Sequence, residues 1–480
     1  MSERELGDDA GTPDGVIPTL PPTLPPIRPE GGSDRHPSGP VSTPELSSRD
    51  GPSRGADPPS ASPATPLDVG VAEVSWRSMV AALEVPAFRW YWAGQLLSGI
   101  GTWSQAVAQS WLVLDLTHSA VALGTITMLQ FLPVLALALV GGVIADRVGR
   151  RQLLVATQVA LTAQAVTLGV LVAAHVVTLW EVGLLALALG TTNALNNPAQ
   201  QAFVPELVGR DLLADAVALN SVQFNTARML GGAVGGLAIA AWGIDGALFL
   251  NAASFLPIVV VLAAIRPAHV TARSGSSEHS ALAELRQGLA YAFRTTPVRR
   301  VVALFAVVGL LGFNWQVAVP LLARFVLHRS VTGFGDLMAA IGAGSLLAAA
   351  VLARDRRATE GRLTLGALAL GAVLIALGLS RSYPVSLVLL GLGGIAGIVT
   401  SITANTRLQL LTPDHLRGRV MGIYVLLMGG TTPIGAFVLG ELAGHLGTGV
   451  ALVIFGATTA VAVGAIGLRR ARGAAEGATE

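Results

Sequence analysis

The chain has 480 residues, of which 52% are hydrophobic and 12% charged, with 56 glycines and a formal net charge of +2. An ordinary soluble domain carries about 25% charged residues, so this composition excludes one and reads as an all-α membrane protein. All 31 basic residues are arginine and there is no cysteine, which excludes a Gly-Lys-Ser/Thr phosphate loop, lysine Schiff-base chemistry, disulfides, thiol catalysis and cysteine-ligated zinc.

Residues 1–72 hold 15 of the 26 prolines and almost no aromatic side chains. Such a stretch buries too little apolar surface to offset its ordering entropy, so it is expected to be a disordered tail. It lacks the apolar region of a signal peptide. Its PPTLPP run, Pro21 to Pro26, is either a ligand for an aromatic groove or only part of a proline-rich tail.

Twelve apolar segments follow, at about 88–115, 120–144, 152–174, 178–202, 212–241, 245–265, 299–326, 333–353, 363–380, 384–411, 418–443 and 447–468. A helix needs about 20 apolar residues to cross a bilayer core of about 30 Å, so each is read as one crossing. An even number puts both termini on one side. Nineteen arginines lie in the connections and tail on that side, against three (Arg324, Arg329 and Arg381) on the other. The positive-inside rule therefore makes both termini cytoplasmic, in an inner or plasma membrane.

The expected organisation is a tail at 1–72, a six-helix bundle at 73–265, a linker at 266–298, a second six-helix bundle at 299–468 and a tail at 469–480. Within the linker, Leu282, Leu285, Leu289 and Phe293 recur at helical spacing among arginines. That pattern predicts an amphipathic helix lying on the anionic inner leaflet.

Between the second and third segments stands GGVIADRVGRRQLL, Gly141 to Leu154. Its Gly142, Ala145, Asp146, Arg147, Gly149, Arg150 and Arg151 reproduce the G-x-x-A-D-R-x-G-R-R signature that the major facilitator superfamily carries at this place, and the chain resembles that superfamily. The resemblance implies a twelve-helix fold of two six-helix bundles and a loop that acts as a conformational switch. In physical terms, Gly149 is expected to permit a tight turn and Gly142 a close helix approach. Asp146 can accept hydrogen bonds from the first turn of another helix.

The chain also repeats itself. Asn197, Gln201, Pro205 and Glu206 match Asn405, Gln409, Pro413 and Asp414, each 208 residues later, and Asp146-Arg147 recurs as Asp355-Arg356 with Ala358 in place of Gly149. Parallel duplication of this kind is expected of major facilitator transporters.

Polar residues at membrane depth are costly unless they face a bundle interior or a wet path. Asn193, Asn197 and Gln201 in the fourth segment, Asn220, Gln223, Asn225 and Arg228 in the fifth, and Asn405 and Arg407 in the tenth are therefore candidates for the wall of a substrate path. Snorkelling of Arg228 and Arg407 to the surface is the alternative. Gly231, Gly232, Gly235 and Gly236 resemble the core of the superfamily's antiporter signature, with Gly232 where the family has proline; small residues at this spacing suit close helix packing. Asp115 and Glu441, near outer helix ends, are the candidate proton-coupling acids, or else simply solvated helix-end charges. The superfamily's exporter arginine in the fourth segment has no counterpart here.

The layout, and the runs NNPAQQAFVPELVGRDLLADAVALNSVQFN and QLLTPDHLRGRVMG above all, resemble the branch containing the enterobactin exporter and the macrolide efflux proteins. That resemblance implies proton-coupled export of amphipathic small molecules. Import of a small polar solute is one alternative, and a receptor or scaffold built on a transporter fold is the other. No catalytic residue, cofactor, metal or nucleic-acid partner is expected, and the chain is expected to act as a monomer.

Overall fold

The computed structural model describes residues 81–147, 149–209, 211–265, 281–354 and 358–476, without the side chains of 138–147, 281–285, 353–354 and 468–476. The proline-rich tail and the Asp355-Arg356 repeat lie outside the described residues, as do the side chains of Asp146 and Arg147.

Regular structure among the described residues is helical throughout. The first half contains α1 (Pro86–Thr117), α2 (Ala120–Arg147), α3 (Arg150–Ala173), α4 (Leu179–Val208) and α5 (Leu213–Ala264). After α6 (Ala281–Arg294), the second half contains α7 (Thr296–Leu311), α8 (Trp315–Leu321), a π-helical turn (Leu322–Val326), α9 (Val331–Arg354), α10 (Glu360–Leu379), α11 (Tyr383–Leu411), α12 (Asp414–Gly430), α13 (Thr432–Leu446) and α14 (Thr448–Glu476).

Nine stretches of the described residues are long and apolar enough to cross a membrane. One of them is all of α5, yet Gly243 at φ 80° and ψ 176° breaks it into two limbs, between the expected fifth and sixth segments. Only glycine adopts that conformation cheaply. Helices α1 and α4 are 32 and 30 residues long but more polar, α1 through buried Gln95, Gln105 and Gln109. Prolines shape the other irregularities. Pro433 is the second residue of α13, just after the break at Thr431 that ends α12, and Pro320 stands in α8 just before the π-helical turn.

Packing is mostly within each half: α1 and α3 against α5 and α2 against α4 in the first, α9 against α11 and α10 against α14 in the second. Two seams join the halves, α5 against α9 and α2 against α13. Both rest on glycine. A Cβ on Gly124 would lie 2.9 Å from the Cα of Gly440, and one on Gly232 would lie 2.9 Å from the Cβ of Met338. Such distances are closer than side chains tolerate, so these backbones meet because no side chain intervenes. Elsewhere the outer surface is strongly apolar: Trp180, Trp242, Leu365, Leu379 and Val461 are each at least 64% exposed. Lipid is the solvent that makes such a surface stable.

Helix α6 forms where the linker's helical spacing places it, but part of it is committed to protein. The Tyr291 hydroxyl donates to the Leu411 carbonyl (3.1 Å), Gly288 sits on the backbone of Arg419, and Leu289 packs into the core while Phe293 stays exposed.

Candidate functional site

Where the seams meet, the structure encloses a cavity of about 230 Å³ with residues of both halves in its wall. Trp103, Thr127, Asn225 and Arg228 come from the first half, and Asn314, Gln316, Ser345, Ser401 and Thr432 from the second. Aromatic rings line much of the rest, among them Phe131, Phe224, Phe313 and Trp315.

Arg228 is the one charged residue in this wall among the described residues. Helix α5 carries it towards α9, where a terminal nitrogen donates to the Ser345 hydroxyl and, at 3.3 Å, to Asn225 Oδ1. The guanidinium lies 6.0 Å from the centre of the Trp103 ring, which stacks edge-on with Phe224 at 5.8 Å. Its Nε is buried without a hydrogen-bond partner, and so is the Oδ1 of Asn314. The Asn314 side-chain nitrogen is occupied by the Leu310 carbonyl at 2.7 Å.

Four glycines of α5 set the width of this region. Gly231 and Gly235 face α1, where added Cβ atoms would meet the Cβ of Trp103 at 2.5 Å and the Cα of Ser104 at 2.9 Å. Gly232 and Gly236 face α9, with Met338 and Val331 as neighbours. One run of glycines thus serves a contact inside the first half and a contact between halves.

The other sequence candidates separate. Asn225 is buried beside Arg228 and lines the cavity, whereas Asn193, Asn220, Gln223 and Asn405 are partly buried outside its wall, and Asn197 and Gln201 are exposed. Asn405 Oδ1 accepts from Gln409 at 2.6 Å. Arg407 is also away from the cavity: it donates to the Ala358 carbonyl (3.1 Å) and pairs with Glu360 (3.6 Å).

The switch loop is partly described. Arg150 pairs with Glu206 at 2.7 Å and donates to the Ala202 carbonyl, while Arg151 donates to the carbonyls of Leu262 and Ala263 at the end of α5. A cation on those last carbonyls is favoured by the helix dipole. Gly149, however, has φ −57° and ψ 121°, a conformation open to any residue. The expectation that glycine is needed there for a tight turn is therefore corrected, and Ala358 in the second copy carries no conformational penalty on that ground.

Neither candidate acid reaches the cavity. Asp115, in the last turn of α1, pairs with Arg324 of the π-helical turn at 2.5 Å, linking the two halves. Arg324 also stacks over Trp111 (4.9 Å) and approaches His118 Nε2 (3.5 Å). Glu441 lies 3.4 Å from His445 of its own helix.

Sequence reasoning missed a buried amide chain in the first half. Asn251 Nδ2 donates to Gln105 Oε1 (2.5 Å), and Gln105 Nε2 donates to Gln164 Oε1 (2.9 Å), tying α5, α1 and α3 together. Two glutamines four apart in an otherwise apolar helix, Gln105 and Gln109, were the available signal. It also missed Asn314 and Ser345, whose signal was a polar residue inside an apolar run.

An apolar helical shell around a polar, aromatic-lined cavity shared by two halves defines a multi-pass membrane transporter. The chain belongs to the transmembrane secretion effector family of the major facilitator superfamily, whose description matches residues 77–477. It is 28% identical over 366 residues to the multidrug efflux pump Tap of Mycolicibacterium fortuitum, covering 73% of this chain and 88% of that protein. To the enterobactin exporter EntS of Shigella boydii it is 26% identical over 376 residues, covering 77% and 88%. Among solved structures, a bacterial homologue of the lysosomal transporter Spinster, inward-facing and occupied, superposes with a TM-score of 0.64 at 13% identity, over 79% of this chain and 95% of that one. The family and these relatives are transporters, not enzymes.

Proposed function

We propose that this transporter is a proton-coupled exporter of amphipathic small molecules, of the drug, macrolide or siderophore type, working as a monomer in the cell membrane with both termini cytoplasmic. The observation that carries the reading is the cavity shared by the two halves, with a cation and amide and hydroxyl groups set among aromatic rings. The twelve crossings would form two six-helix bundles, 73–265 and 299–468, joined by the linker 266–298. The amphipathic character follows from the lining, since aromatic walls take apolar surface while a few polar groups orient the molecule.

In alternating access the bundles rock about a midplane site. Asp115 and Arg324 would latch the outer face, and the close glycine contacts of Gly232 with Met338 and Gly124 with Gly440 would close the path beneath it. Asp115, in this latch, and Glu441, with His445 as neighbour, are the two proton-coupling acids of this reading. At the cytoplasmic face, Asp146 and its loop would make the corresponding lock, broken when the path opens inward. An ion gradient supplies about 2.3 kcal/mol per charge per 100 mV, enough to drive such a cycle.

The test is transport by purified protein in proteoliposomes across a panel of amphipathic compounds. Export should follow an imposed proton gradient and stop when an uncoupler collapses it; accumulation that persists with the gradient collapsed would refute the reading.

A further inference from the structure

We propose that the cavity selects compounds bearing an anionic group, with Arg228 as the counter-ion and Asn314 as acceptor for an N–H or O–H on the same molecule. This rests on the transporter reading and adds the charge class of the substrate.

Three observations converge on it. The first is that Arg228 has only neutral partners, Ser345 and Asn225, and among the described residues no carboxylate pairs with it. A guanidinium withdrawn from water loses hydration that a hydroxyl and an amide do not replace, whereas an anion does. The second is that the Nε of Arg228 is buried and unpartnered. With one terminal nitrogen engaged, the remaining N–H groups of the planar fork are what a carboxylate, sulfonate or phosphate oxygen requires. The third is that Asn314 Oδ1, in the same wall, is a buried acceptor without a donor. A cation with an unpartnered N–H and an unpartnered neutral acceptor in the wall of one cavity together describe the ligand's complement.

The rest of the lining decides what else is admitted. Trp103, Phe224, Phe131, Phe313 and Trp315 offer ring surface to the apolar body of the molecule. No aspartate or glutamate occurs among the residues described in the wall, so an organic cation meets Arg228 with nothing to offset the repulsion. Discrimination against cations therefore accompanies affinity for anions. The direction of export fits as well, because an anion leaving a cell whose interior is negative moves down the electrical gradient.

The experiment uses two probes with the same ring system, 8-anilino-1-naphthalenesulfonate and the uncharged N-phenyl-1-naphthylamine. Each is titrated onto the full chain in nanodiscs of zwitterionic lipid, with empty nanodiscs as the blank. The wild-type protein should bind the sulfonate more tightly than the amine. Arg228→Gln should weaken sulfonate binding about tenfold or more while leaving amine binding within about twofold, as expected for loss of a charge-assisted contact. Arg228→Lys, which keeps the charge but loses the fork, should fall between. Wild-type protein binding the sulfonate no more tightly than the amine would overturn the proposal, and so would Arg228→Gln weakening both probes alike. The wild-type comparison stands whether or not the variant folds. Gradient-driven movement is read separately in proteoliposomes: movement of the amine without charge selectivity refutes the anion site and leaves the exporter, whereas Arg228-dependent sulfonate binding without gradient-driven movement refutes the exporter and leaves the site.

Discussion

Replacing Asp115 with asparagine keeps the shape of the outer latch and removes its charge. The Asp115 and Arg324 side chains are 38% and 24% exposed, so water screens the pair, and its loss costs about 0.5–1 kcal/mol. The Arg324 stack over Trp111 survives this change and contributes about as much again at a partly exposed site. If the latch is made only when the outer face is closed, Asp115→Asn raises the outward-open population about two- to fivefold, and Asp115→Asn with Arg324→Gln raises it further. The chain has no cysteine, so a single cysteine at Thr432, in the cavity wall, reports opening through its rate of labelling by a membrane-impermeant maleimide added outside. Equal labelling rates in the presence and absence of the Asp115 charge would show that the pair does not hold the outer face closed.

Two glycines next to each other should give opposite signatures. Gly231→Ala forces a Cβ against Trp103 within the first half and should lower thermal stability by about 1–3 kcal/mol, as overpacking does; Gly232→Ala meets Met338 across the seam and should instead accelerate outside labelling at Thr432 with a smaller loss of stability. Identical effects on melting and labelling would mean that the seam is no more mobile than the bundle. Glu206→Gln breaks the 2.7 Å pair with Arg150, whose side chains are only 12% and 21% exposed, and should cost about 2 kcal/mol, as loss of a charge-assisted hydrogen bond does; Arg407→Gln breaks a looser 3.6 Å pair and should cost about 1 kcal/mol. Melting of the purified variants in detergent orders the two, and the reverse order would refute the ranking by distance.

Helix positions were legible because hydropathy and glycine act locally. Gly243 falls between two apolar runs, and its φ of 80° is one that the residue type itself permits. Arg228 and Asn225 were legible as costly polar groups at depth, but their neighbours were not: Ser345 lies 117 residues from Arg228, and nothing in one helix states which face of another it will meet. Charge pairing departs from the repeat in one respect. A constant offset of about 208 residues pairs Glu206 with Asp414, yet the carboxylate that closes the second half is Glu360, and its partner Arg407 comes from the later helix. Chain duplication preserves helices more faithfully than it preserves charges, because any pair of opposite sign at the same two helix ends satisfies the same electrostatics.

That exchange of sign bears on how the two halves can move as units. In the first half the start of α3 supplies the cation and the end of α4 the anion; in the second, the start of α10 supplies the anion and the end of α11 the cation. Both pairs are at most 21% exposed and both lie within one half, where little screening weakens them. The amide chain through Asn251, Gln105 and Gln164 adds buried hydrogen bonds inside the first half. Between the halves the contacts are of a different kind: glycine faces, which exchange one van der Waals neighbour for another at little cost, the partly exposed Asp115–Arg324 pair and the Arg324 stack over Trp111, each worth about 1 kcal/mol at most, and the hydrogen bond from Arg228 to Ser345. Interactions within each half therefore exceed those across the seams. The displacement this ordering favours is a rocking of one half on the other, which parts Asp115 from Arg324 and Arg228 from Ser345.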